Sequence, residues 1–118
     1  MTDLFYKIDG KSLAIQGPGD RTARCTFAFS IASVVAFPSV LVVRIEPPEG
    51  IRHNENVYGV RADGSIAWQV PPREYVYDDS PFTGMTKCGD AIKLMNWDGL
   101  ELVLDPISGQ EISETYGR

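Results

Sequence analysis

Residues 56–70 read Asn-Val-Tyr-Gly-Val-Arg-Ala-Asp-Gly-Ser-Ile-Ala-Trp-Gln-Val, with two β-prone runs on either side of Asp63-Gly64. An Asp-Gly pair between such runs is the strongest short-range signal for a β-hairpin. A two-residue loop would mix polar and apolar side chains on one face, whereas a three-residue loop of residues 62–64, with a bulge at Gly64, separates them. We therefore predict the bulged loop at the centre of the core. Its predicted pairs are Tyr58 with Trp68 and Val60 with Ile66, and its apolar face carries Tyr58, Val60, Ile66, Trp68 and Val70.

The sequence before this hairpin predicts more strands. Asp9-Gly10 predicts a two-residue turn between strands at 3–8 and 11–16, and residues 17–20 predict a loop. A long strand over 22–36, bent near Ser33, is expected to lead into a central strand that is apolar on both faces up to Arg44. The predicted apolar face of the first hairpin is Leu4, Tyr6, Ile8, Leu13 and Ile15, and the central strand is Val40–Glu46.

The sequence after the hairpin begins with Pro71-Pro72 and shows no clear regular structure until about Asp90. Residues 91–104 then predict a third hairpin with a three-residue loop at 97–99, and residues 110–116 predict a short final strand. Its predicted apolar face is Ile92, Leu94, Leu100, Leu102 and Leu104. No stretch has the period and caps of a helix. We therefore expect one all-β domain over residues 1–118, an antiparallel meander of hairpins that forms a sandwich or small barrel.

Composition limits the function. The formal net charge of −5 and pI near 4.7 argue against nucleic-acid binding, which needs a surplus of Lys and Arg. Residues 25–43 carry no charge, but their period-two alternation and Pro38 favour buried strands over a membrane span. The start lacks the pattern of a secretory signal, so Cys25 and Cys88 are expected to be reduced thiols in a cytoplasmic protein.

Two segments carry a resemblance. "NVYGVRADGSIAWQV" and "NWDGLELVLDPISGQ" resemble hairpins of single β-propeller blades of the quinoprotein kind, in which a strand ends in Asp-x-Asp-Gly and returns through a Trp. A propeller needs at least four blades of about forty residues, so 118 residues cannot close one. The whole sequence, including "DDSPFTGM", also resembles a group of short uncharacterised bacterial proteins, which implies a bacterial cytoplasmic β-domain.

Candidate catalytic chemistry centres on the single histidine, His53. It could join Glu55 and the Asp78-Asp79 pair in a metal site, or act as base for a Cys88 nucleophile. Neither arrangement has a supporting motif, and a solvated loop histidine and an unreactive thiol explain the same residues. Asp78, Asp79 and Glu101 could support glycosidic chemistry, but adjacent acids point in different directions. We therefore expect no catalytic site, no metal and no cofactor.

The remaining candidate is the segment from Pro71 to Asp90. Long irregular segments in small domains often carry function, and exposed Tyr, Met and Arg are typical of protein interfaces. We predict a non-enzymatic interaction domain that binds a protein partner or a second copy through this segment or through an edge strand. The alternatives are a small hydrolase or metal-dependent enzyme centred on His53, and a β-barrel for an apolar ligand. The tyrosines could equally form a lid on the core. The predicted binding residues are Arg73, Tyr75, Tyr77, Asp78, Asp79 and Phe82.

Overall fold

The computed structural model describes residues 2–17 and 19–116, so Pro18 of the predicted 17–20 loop lies outside the described residues. The described residues form no helix; they form strands in three antiparallel sheets, each a meander of neighbouring strands. The N-terminal sheet contains Phe5–Asp9 (β1), Ser12–Gln16 (β2) and Thr22–Thr26 (β3). The central sheet contains Ser30–Ala36 (β4), Val40–Glu46 (β5), Val57–Arg61 (β6) and Ile66–Gln69 (β7). The C-terminal sheet contains Phe82–Cys88 (β8), Ala91–Asn96 (β9), Leu100–Leu104 (β10) and Glu111–Tyr116 (β11).

The central sheet is buried on both faces, which makes the fold a three-layer sandwich. Alternate side chains of β5 point to opposite faces: Val40 and Val42 pack with the C-terminal sheet, and Leu41, Val43 and Ile45 pack with the N-terminal sheet. All five are at most 1% exposed, and burying such a side chain contributes roughly 1.5–3 kcal/mol. The predicted all-β sandwich and the central position of Val40–Glu46 are confirmed. The barrel alternative is wrong, because each sheet is open at both ends.

The hairpin at 56–70 confirms the predicted loop but not the predicted faces. Arg61 N–H donates to Ser65 O across the loop (2.8 Å), Gly64 has φ +88°, and Val60 pairs with Ile66 as predicted. A further bulge at Ala67 then shifts the register. Trp68 therefore pairs with Gly59, not with Tyr58, and it lies on the opposite face of the sheet from Tyr58 and Val60.

The shifted register places the Trp68 indole between two glycines. A Cβ atom on Gly59 or Gly109 would overlap the ring. The indole Nε1 donates to the buried carbonyl of Pro106 (2.8 Å) in the turn between β10 and β11. Trp68 therefore joins the central sheet to the C-terminal sheet, and this contact explains why the predicted Tyr58–Trp68 pair does not form.

The other two hairpins keep their predicted apolar faces. In the first, Asp9 pairs with Ser12, so the turn is Gly10-Lys11 and not Asp9-Gly10. This register differs from the predicted one by two residues, which leaves every side chain on the predicted face. The third hairpin has the predicted loop at 97–99 and the predicted buried face, and the final strand forms as β11. The buried residues of the third hairpin are Ile92, Leu94, Leu100, Leu102 and Leu104.

Two predicted segments are wrong in extent. The single strand over 22–36 is two strands in different sheets, β3 and β4, and residues 27–29 cross between the layers. The predicted irregularity near Ser33 is confirmed by a register shift between Ile31 and Ser33. The irregular segment predicted at 71–90 ends at Pro81, because β8 begins at Phe82.

Candidate interaction surface

Three asparagines fix the segment at 71–81 and the first residue of β8 to the rest of the fold. Asn54 Nδ2 donates to Asp78 O (2.8 Å) while its Oδ1 accepts from Ser80 N–H (2.9 Å). The buried Asn56 binds Phe82 in the same way, through Phe82 O (3.0 Å) and Phe82 N–H (2.9 Å). Asn96 Nδ2 donates to Ser80 O (2.8 Å). Because an amide side chain carries the same donor and acceptor as a peptide group, these contacts replace the strand ladder that the segment lacks.

Arg73 and Tyr75 fold back onto the domain. The Tyr75 hydroxyl donates to Glu55 Oε2 (3.0 Å). Burial and this hydrogen bond raise the pKa of Tyr75 above its ordinary value, because both disfavour a second negative charge beside the carboxylate. The Arg73 guanidinium binds Glu114 and lies 3.7 Å from the Glu111 carboxylate, both on β11. These two predicted binding residues therefore hold the segment in place.

Val76, Tyr77 and Trp97 are exposed apolar residues on two segments that hydrogen bonds join, and we call them the Trp97 patch. They are 61%, 53% and 64% exposed. The buried carboxylate of Asp98 links the two segments, because it accepts from Leu100 N–H (2.9 Å) in its own turn and from Val76 N–H (3.2 Å). Trp97 N–H also donates to Pro81 O (3.0 Å). The segment and the turn at 97–99 thus form one connected surface.

Acidic side chains border the Trp97 patch. Glu74, Asp78 and Asp79 are exposed, and no ion pair to them occurs among the described residues. An open groove of about 440 Å³ lies beside them, lined by Arg52, Asn54 and Tyr77 among others. Phe82 is 1% exposed and packs in the core, so its side chain is not part of this surface.

The described contacts of the His53 side chain are with Tyr58 and Phe29, and include none of the other catalytic candidates. Its Nε2 is 2.9 Å from the Tyr58 hydroxyl, and its ring packs against Phe29 with the centroids 5.7 Å apart. Cys88 is exposed at the far end of β8, roughly 20 Å along the strand from Phe82. No hydrogen bond between the Cys88 thiol and the His53 imidazole occurs among the described residues.

No group of three His, Cys, Asp or Glu side chains within residues 2–17 and 19–116 could hold a metal ion. Cys25 is buried, and burial raises the pKa of its thiol, which disfavours the reactive thiolate. In the same residues no helix could span a membrane.

Sequence reasoning missed Trp97 and the three asparagines. The exposure of Trp97 could have been predicted, because Trp97 is the first residue of a three-residue turn, where a large side chain cannot point into a sheet core. The asparagines gave no such signal, because their partners are 24 to 26 residues away for Asn54 and Asn56 and 16 for Asn96.

Comparison with known proteins gives a family match. A family model described as "Domain of unknown function (DUF7957)" matches residues 4–116. None of the curated proteins that were compared with the chain matches it.

Proposed function

Since the chain belongs to the DUF7957 family, whose description names no activity, we propose from the geometry that it is an interaction domain that binds a protein partner through the Trp97 patch. The observation that carries this proposal is the exposure of Val76, Tyr77 and Trp97 on a segment and a turn that are otherwise fixed. Contiguous exposed apolar groups are costly in a monomer, and they are typical of binding surfaces. Trp and Tyr are also the residues that contribute most binding energy at interfaces.

Rigidity supports a binding role for the segment. Binding costs less conformational entropy when the surface is already ordered. Asn54, Asp98 and the Tyr75–Glu55 contact hold the backbone on both sides of Tyr77, so that its ring can be presented without a folding step. A lid role would instead bury these side chains, and it accounts for Tyr75 but not for Tyr77 or Trp97.

The test compares two triple variants. The patch variant carries Val76→Ser, Tyr77→Ser and Trp97→Ser; the control variant changes exposed isoleucines elsewhere, namely Ile51→Ser, Ile66→Ser and Ile107→Ser. Each protein is immobilised, proteins of the source cell that bind it are identified, and the purified partner is titrated against each variant by calorimetry. We expect the control to keep wild-type affinity and the patch variant to lose at least about tenfold, or 1.4 kcal/mol.

Equal affinity of the patch variant and the wild type, with both folded by circular dichroism, would exclude the Trp97 patch as the binding surface. Loss of affinity in the control alone would place the surface elsewhere. Because the variants are folded in both cases, either result would refute the proposed binding surface and not the fold.

Two expectations from the sequence belong to this proposal. The three consecutive meanders, stacked face to face, support a likeness to single blades of quinoprotein-type propellers. We infer a bacterial cytoplasm as the place of action; the free cysteines, Cys25 and Cys88, support a reducing compartment of this kind.

A further inference from the structure

Two hollows in the surface adjoin the segment at residues 78–79. The open groove described above is lined by Glu74 and Asp78 among others. A smaller hollow of about 180 Å³ is lined by Glu46, Glu49 and Asp79 among others. Two consecutive residues of the segment, Asp78 and Asp79, therefore line one hollow each, and exposed acids surround both.

These five acids are unpartnered within the part of the chain that the structure describes. Their carboxylates accept no hydrogen bond there and form no ion pair, although the sequence contains 16 acids and eight of them bind groups of the fold. Among the described residues, the other acids without such a contact are Asp9, Asp20 and Asp90. Unpartnered carboxylates are thus concentrated around the segment.

The charge of the hollows is negative even when the nearby arginines are counted. The two linings contain Arg44, Arg52 and Arg73, and six acids, namely the five above and Glu55, so their formal net charge is −3. Arg73 already contacts two carboxylates of β11. Residues 5–26, which contain the N-terminal sheet, carry four cations and two acids, a net charge of +2. The chain is therefore electrically asymmetric, and the surface around the segment attracts cations.

The Trp97 patch borders both hollows. Tyr77 lines the open groove, and Trp97 N–H donates to the carbonyl of Pro81, which lines the smaller hollow. Asp78 and Asp79 follow Tyr77 directly, so their Cα atoms lie within roughly 7 Å of its Cα, inside the screening length of about 8 Å at physiological salt. A partner that covers Tyr77 therefore also removes water from these carboxylates. A neutral or acidic partner leaves that loss of hydration uncompensated, whereas a cation offsets it.

We propose that the partner binds the Trp97 patch through a basic segment, which places an apolar side chain on the patch and Lys or Arg side chains in the two hollows. This inference rests on the proposed function and names the chemistry of its partner. Complementary charge beside an apolar contact fixes the orientation of a bound segment and speeds its association. Asn54 and Asp98 hold the backbone of the acidic segment, so the partner meets charges that are already in place.

The test compares two charge variants with the wild type. The acidic-site variant carries Glu74→Gln, Asp78→Asn and Asp79→Asn. The distal variant carries Asp9→Asn, Asp20→Asn and Asp90→Asn, which removes the same charge from acids that are also exposed and unpartnered among the described residues. Each protein is titrated in NMR with a synthetic peptide that has three lysines on each side of a tryptophan, and with the same peptide carrying glutamates in place of the lysines.

We expect the lysine peptide to shift the amide signals of residues 74–79 and 97–98, and the glutamate peptide to leave them unchanged. The dissociation constant of the lysine peptide should rise at least about fivefold in the acidic-site variant and stay within about twofold of the wild type in the distal variant. Equal effects of the two peptides, equal dissociation constants in the two variants, or no shift at residues 74–79 would each overturn the inference.

The partner identified by immobilisation separates this inference from the proposed function. If that partner loses affinity for the patch variant but not for the acidic-site variant, the Trp97 patch is the binding surface and the partner segment is not basic. If it keeps its affinity for both variants, the proposed function is wrong as well. A loss of affinity in both variants, with the distal variant unchanged, is the expected result.

Discussion

The contact between Trp68 and two glycines makes a quantitative prediction about stability. Three Gly→Ala substitutions separate the two reasons for which a glycine can be required. Gly50 has φ +86° and open space around it, Gly59 has an ordinary φ but faces the indole, and Gly109 has φ +75° and also faces the indole. Comparing the three isolates the cost of the backbone conformation from the cost of the overlap.

The expected magnitudes follow from the contacts. A residue other than glycine in the left-handed region costs about 1–2 kcal/mol, so Gly50→Ala should lower the free energy of unfolding by about 1 kcal/mol. A Cβ on Gly59 would lie 2.7 Å from Trp68 Cδ1, and one on Gly109 would lie 2.5 Å from Trp68 Cγ. Overpacking of a filled core costs about 1–3 kcal/mol. We therefore expect about 3 kcal/mol for Gly59→Ala and about 4 kcal/mol for Gly109→Ala.

The assay is urea unfolding followed by the emission of Trp68, in a Trp97→Phe background so that the exposed tryptophan does not contribute. A double-mutant cycle with Trp68→Leu, followed by circular dichroism, then assigns the penalty. The smaller side chain should remove most of the cost of Gly59→Ala and leave that of Gly50→Ala unchanged. If Gly59→Ala costs no more than Gly50→Ala, or if its penalty survives Trp68→Leu, the indole does not lie against Gly59 and the assigned register of β7 is wrong.

Three further predictions concern polar groups. Asn56→Ala leaves buried backbone groups without partners, and it should lower the free energy of unfolding by about 3 kcal/mol in urea titrations. Because burial and Glu55 raise the pKa of Tyr75, the folded state holds that proton longer than the unfolded state, and stability falls as the pH rises above about 10. Tyr75→Phe should make this fall shallower in pH-dependent unfolding; an unchanged slope would contradict the contact. Hydrogen bonds from Ser65 lower the pKa of Asp63, so their contribution is present above about pH 4 and is lost as the pH falls through the lowered value. Ser65→Ala should move the pKa of Asp63 back toward its ordinary value in an NMR titration.

The parts of the fold that the sequence predicted correctly depend on near neighbours. The loops at 62–64 and 97–99 follow from glycine at a position with positive φ, and the buried faces of the strands follow from alternation over a few residues. The Trp68 face was predicted wrongly because Gly109, its partner, lies 41 positions later and belongs to another layer. No local pattern in residues 66–70 distinguishes a tryptophan that packs on its own hairpin from one that packs on the next sheet.

In the candidate interaction surface, too, the features that depend on near neighbours were predictable and those that depend on distant residues were not. The exposure of Tyr77, Asp78 and Asp79 agrees with the turn-forming and acidic composition around them. The burial of Phe82 was not predicted, because it depends on Asn56, which caps the start of β8 from a position 26 residues earlier. Trp97 joins the surface through the Asp98–Val76 contact and through the bond from its own N–H to Pro81 O. Long-range hydrogen bonds, which a single sequence does not reveal, therefore decide which aromatic residues are exposed.

The lengths of the two crossings between layers bear on function. Residues 27–29 lead from the N-terminal sheet to the central sheet, so three residues suffice for a step of roughly 10 Å between packed sheets. Residues 70–81 make the equivalent step from the central to the C-terminal sheet, yet they use twelve residues. The step between sheets therefore requires only a short connection at residues 70–81. The asparagine contacts explain how the longer connection that is present stays ordered. Neither explains why the added length leaves Val76 and Tyr77 exposed, whereas the proposed partner would cover them.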